Sequence, residues 1–183
     1  MIGVGLWAIV SIVQTFTAGF SWIVRPDFNP LNILYGLIFI FIADLGTELF
    51  TRAYPLVRFK DSFGEISAIL IMVLFVGLKS FSPGLSGELL FYTVLIPALH
   101  TVFFSIIYFK TRRLGGALGV HTGANLVTIS IFDSRVEEQI QGIPAGLFQP
   151  DVDLQTLSLT AIQLPFVLMA IAFSIVVYIW WKK

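Results

Sequence analysis

Apolar runs alternate with short polar breaks along the whole chain, and the breaks set the predicted elements. The first run covers 2–24 and ends at Arg25-Pro26-Asp27-Phe28-Asn29-Pro30, whose prolines stop a helix. It has no basic n-region and no small-x-small cleavage site, so it reads as an uncleaved helix. The second run, 31–54, meets Pro55, which predicts a kink or an end. A short charged loop, Arg58 to Gly64, is expected next. The third run, 65–80, carries Lys79 at its end and precedes a turn at Ser82-Pro83-Gly84. The fourth, 88–109, contains Pro97 and then His100, and leads into basic Lys110, Arg112 and Arg113. The fifth, 114–132, is rich in glycine. Residues 133–157 form the long polar segment, and a sixth run, 158–181, closes on Trp180-Trp181-Lys182-Lys183, aromatic residues followed by cations.

Several of these runs approach the roughly 20 residues that span a bilayer. The expected fold is all-α: one polytopic transmembrane domain over 1–183 with about six helices. Composition agrees, with 57% hydrophobic and only 12% charged residues. A formal net charge of zero leaves no electrostatic case for nucleic acid. The absence of cysteine excludes disulfides, thiolate catalysis and cysteine metal sites. There is no phosphate loop and no HExxH sequence, so no metal or cofactor is expected; membrane lipid is the expected surrounding partner.

Basic residues set the orientation. With six spans, Arg52, Arg58, Lys60, Lys110, Arg112, Arg113, Lys182 and Lys183 fall towards the side of both termini, and Arg25, Lys79 and Arg135 towards the other. That bias of eight to three predicts cytoplasmic termini and an outward-facing 133–157 loop. The acidic residues of that loop, Asp133, Glu137, Glu138, Asp151 and Asp153, read as a solvated surface or a docking site for a membrane-protein partner.

Two helices carry chemistry. Asp44, Glu48 and Arg52 follow a four-residue step, with Thr47 and Thr51 beside them, inside an arc of roughly 140°. Ionised groups in a membrane span are costly and usually functional. The stripe reads either as a buried Glu48–Arg52 pair or as the wall of a polar cavity. In the fifth run, Gly115, Gly119 and Gly123 predict close approach by another helix. His121 and Asn125 lie about 200° away from them. Lys79 has two readings: it enters the cavity, which the helix depths permit, or it snorkels to the outer interface.

With these motifs the chain resembles the CAAX protease and bacteriocin-processing family, also called Abi or CPBP, which includes the type II CAAX prenyl endopeptidases. The family's Glu-Glu-x-x-x-Arg stands here as Thr47-Glu48-Leu49-Phe50-Thr51-Arg52, its Phe-x-x-x-His as Phe75-Val76-Gly77-Leu78-Lys79, and its His-x-x-x-Asn as His121-Thr122-Gly123-Ala124-Asn125. The resemblance covers about residues 31–130. It implies a site in which the first Glu and the second-motif His activate water, while the last His and Asn stabilise an oxyanion. Glu48, Arg52, His121 and Asn125 are retained; Thr47 and Lys79 replace the water-activating pair. A threonine hydroxyl is no base near neutral pH, and hydrolysis needs a positioned base. Asp44, a rotated Glu48 or His100 are the groups that could substitute. The resemblance, with these departures, therefore implies a membrane protein that has lost hydrolysis and binds a peptide, a prenylated peptide, a lipid or a membrane protein; a bacterial plasma membrane is the expected setting, with a chloroplast-type membrane as the alternative. The alternatives are an active intramembrane glutamic-type endopeptidase with a rearranged site, and a small structural subunit of a membrane complex. Glu48, Arg52, His121 and Asn125 are expected to converge in one pocket, with Thr47 and Lys79 on its wall.

Overall fold

The computed structural model describes residues 2–134 and 145–180. Arg135, Glu137, Glu138, Trp181, Lys182 and Lys183, which entered the orientation and loop readings, lie outside the described residues. The chain divides into two compact units: residues 1–45 with 118–165, and residues 46–117 with 166–183. The all-α membrane class holds. Among the described residues, four helical stretches are long and apolar enough to cross a bilayer: Leu31–Phe63, Gly87–Thr111, Leu114–Ile131 and Leu159–Trp180. The other two expected spans are shorter, α1 (Ile2–Ala18) having 17 residues and α4 (Glu65–Lys79) having 15.

In the first unit, α1 ends earlier than expected. Gly19 takes φ 72° and its N–H bonds back to Thr15 O at 3.1 Å, a left-handed helix stop that glycine adopts freely. The residues beyond it, expected as helix, form β1 (Trp22–Val24). Its antiparallel partner is β2 (Phe148–Pro150), with Ile23 opposite Gln149. The segment expected as a solvated loop thus supplies a strand, and Asp133 is buried rather than solvated. Asp133 lies 3.4 Å from Arg25 and accepts the Gly146 N–H at 3.1 Å, while Arg25 Nε donates to Gly146 O at 3.3 Å. Trp22 meets Phe20 and Phe132 edge-on, and Phe132 stacks on Phe148.

Helix α7 (Leu159–Trp180) contains Pro165, which has no N–H for Ala161 O. Thr17 Oγ1 of α1 donates to that carbonyl at 2.8 Å, and Gln14 Nε2 donates to Ile162 O at 3.0 Å. A neighbouring helix therefore satisfies backbone groups around a proline in a membrane helix.

In the second unit, Pro55 does not end the helix. α2 (Leu31–Glu48) passes into a π-helical stretch, Leu49–Leu56, and then into α3 (Val57–Phe63). Widening the turn absorbs a residue that cannot donate to the regular ladder. The charged loop expected from Arg58 is thus helical as far as Phe63, and the break comes only at Gly64, φ 85°. Helix α5 (Gly87–Thr111) runs antiparallel to α4, and Gly77 faces Val94. Arg112 caps α5 in the left-handed region, φ 52°, and a two-residue link leads to α6 (Leu114–Asn125). Leu56, Ala68 and Met72 form the core of this end, flanked by Phe59, Tyr108 and Phe109.

The glycine stripe packs only in part. A side chain at Gly123 would meet Val4 N at 2.9 Å and Gly3 C at 3.1 Å, so α1 does approach closely there. At Gly115 and Gly119 it would meet nothing within 4 Å, against expectation. The contact face is instead Val120 and Gly123: a side chain at Gly3 would come 2.8 Å from Val120 Cα. Residues three apart share a face as readily as residues four apart.

Candidate functional site

The first cluster lies within the first unit. Asp44, one turn from the end of α2, is buried at 5% exposure. Asn125, the last residue of α6, donates from Nδ2 to Asp44 Oδ1 at 2.7 Å. His121, one turn earlier, places Nε2 3.5 Å from the same oxygen. A carboxylate oxygen is thus shared by an amide donor and an imidazole nitrogen. The periodicity of α6 puts His121 and Asn125 on one face, as their spacing predicts. Asp44, expected only as a substitute base, is their hydrogen-bonding centre.

The second cluster lies within the second unit. Glu48 and Arg52 form an ion pair across one turn, at 0% and 3% exposure. Arg52 also donates to Thr51 Oγ1 at 3.1 Å, and Thr51 Oγ1 donates to Thr47 O at 2.6 Å. The guanidinium carbon stands 5.1 Å from the centre of the Phe104 ring, a cation–π contact. His100 lies against the same ring, centroids 5.7 Å apart, so the α5 histidine reaches this cluster through Phe104. Phe104 was not singled out from the sequence, although it lies one turn after His100 and so shares its face.

The two substituted positions differ from each other. Thr47 is half-buried and takes part through its carbonyl. Lys79 is exposed at the end of α4 and forms no ion pair among the described residues. With Gly77 opposite Val94 on antiparallel helices, Lys79 stands about 8 Å from the start of α5. That placement fits the interfacial reading of this lysine.

Chemically, the first cluster presents a carboxylate held by an amide and an imidazole. It suits a hydrogen-bond donor or a cation better than a developing oxyanion, which would face Asp44. The second is a closed ion pair under an aromatic ring. No curated protein and no solved structure matches this sequence. A family model, type II CAAX prenyl endopeptidase Rce1-like, does match, over residues 29–127. That is more than half of the 183 residues and takes in Asp44, Glu48, Arg52, His100, His121 and Asn125. This membrane chain therefore belongs to the Rce1-like family of type II CAAX prenyl endopeptidases.

Proposed function

We propose that this protein is a CAAX-protease-like membrane protein that binds a prenylated peptide or a membrane-protein segment without hydrolysing it. The observation that carries this reading is the Asp44–Asn125 bond of 2.7 Å, with His121 beside it. In the family's chemistry the corresponding His and Asn serve an oxyanion. Here both face a carboxylate, and a second negative charge beside Asp44 would be repelled. Thr47 and Lys79 supply no base, and Glu48 is committed to Arg52. A bacterial plasma membrane with cytoplasmic termini is the setting this reading assumes.

One observation favours a second reading. A carboxylate 3.5 Å from an imidazole is the arrangement that orients a histidine as general base. In that case Asp44 would hold Nε2, leaving Nδ1 to take a proton from water, and the protein would be a hydrolase with a rearranged site. The deciding experiment incubates purified full-length protein with a farnesylated CAAX peptide, measuring cleavage by mass spectrometry and binding by fluorescence anisotropy. Binding without cleavage is the expected outcome, with affinity reduced in Asp44→Asn. Cleavage by the wild type that His121→Ala stops at unchanged melting temperature would sink the binding reading and establish the hydrolase.

A further inference from the structure

Three of the four long apolar spans end around one cleft in the second unit. The cleft has a volume of about 470 Å³ and is lined by apolar Phe63, Ile66, Ile106 and Phe109 and by the charged Glu65 and Lys110, with Tyr178 beside them. Phe63 is the last residue of the Leu31–Phe63 span; Lys110 and Tyr178 lie within two residues of the ends of two others. The cleft thus sits where hydrocarbon gives way to headgroups. A second, smaller cleft of about 170 Å³ shares Phe109 and is lined also by Lys60, Asp61, Tyr108 and Arg112.

The charges around Phe109 are unequal. Lys60 is held by Glu65 at 3.4 Å and stands over the Phe109 ring. Lys110 lies over the Tyr178 ring at 5.2 Å. Neither Lys110 nor Arg112 forms an ion pair with a carboxylate among the described residues. Lys110 therefore lines the apolar cleft and Arg112 the smaller one beside Asp61, neither cation held in an ion pair, while Glu65 of the larger cleft is taken up by Lys60.

We infer that this cleft is a binding site for an anionic phospholipid, its acyl chain along Ile66 and Ile106 and its phosphate between Lys110 and Arg112. An apolar wall alone would take any lipid; the unneutralised pair selects the anionic ones. Zwitterionic lipid carries its own ammonium and gains less from them. The site shares no residue with either cluster described above and does not depend on whether the protein hydrolyses peptide.

The test uses full-length protein in neutral detergent, with bound lipids counted by native mass spectrometry. Wild type is expected to retain one phosphatidylglycerol with about 10-fold preference over phosphatidylcholine. Lys110→Gln combined with Arg112→Asn, the asparagine chosen because it tolerates the left-handed backbone, should weaken phosphatidylglycerol binding about 30-fold. Ser67→Phe, which fills the cleft and leaves every charge in place, should weaken it as well. Arg58→Gln removes a cation that stands over Tyr54 outside the cleft, and should leave binding unchanged. Equal retention of the two lipids, equal loss in Arg58→Gln, unchanged binding in Ser67→Phe, or full competition by glycerol 3-phosphate at the lipid's own concentration would each overturn the site. If the double variant fails to fold, the wild-type preference and Ser67→Phe decide the matter.

Discussion

Removing either partner of the Glu48–Arg52 pair strands a charge in a site that excludes water. Breaking a buried pair in this way typically costs ~3–5 kcal/mol. Glu48→Ala should therefore lower the melting temperature markedly, while Glu48→Ala with Arg52→Met should recover part of the loss. A double variant no more stable than Glu48→Ala would show that the pair is not what the single change breaks. His121→Ala should be milder, because the imidazole is 18% exposed and Asn125 still binds Asp44. The ion pair was legible in the sequence because its partners are four residues apart on one helix, in the favourable order. The Asp44–Asn125 bond was not, because it joins residues 81 apart and periodicity says nothing of which helices meet. The sequence showed that Asp44 was costly where it stood; only tertiary structure shows what it holds.

Helix packing shows the same division between local pattern and tertiary choice. The glycine spacing in α6 announced a close approach, and Gly123 makes one, but the partner helix contacts Val120 and Gly123 and leaves Gly119 open. Gly123→Leu should therefore reduce folded yield through overpacking of ~1–3 kcal/mol, while Gly119→Leu should be tolerated. Equal loss from both would restore the full glycine stripe as the packing face. Helix ends were legible where the signal is steric, as at the Pro83 turn, but α1 stops at Gly19, well before Pro26. The end expected at Pro55 was misjudged, whereas the span expected to run through Pro165 does so; both helices accommodate an internal proline. Pro55 sits inside a π-helical stretch, and Thr17 covers the carbonyl that Pro165 leaves unpaired. That second case is testable by a double-mutant cycle. Thr17→Val should cost ~0.5–1.5 kcal/mol in the wild type and much less with Pro165→Ala, where the helix can bond Ala161 O itself. Additive losses would mean that the hydroxyl is not replacing the missing N–H.

At the scale of the molecule, orientation in the bilayer rests on charge. The ends of the second and fourth spans meet in the second unit, where Lys60 and Arg112 line one small cleft and Lys110 the larger one beside it. In the first unit, Arg25 of the opposite set is neutralised by Asp133 and bonded to the Gly146 carbonyl. Pairing occurs on both sides, since Arg52 is bound to Glu48 and Lys60 to Glu65, so the predicted orientation rests on the eight-to-three count itself. Because the chain has no cysteine, single cysteines can report each side without background. Val152, 40% exposed just after β2, is a suitable outer reporter, and Asp61, exposed on α3, an inner one. In intact bacterial cells a membrane-impermeant maleimide should label Val152→Cys, and should label Asp61→Cys only after permeabilisation. The reverse pattern would place the basic clefts outside. It would overturn both the cytoplasmic termini and the inner-leaflet position that the phospholipid site then requires.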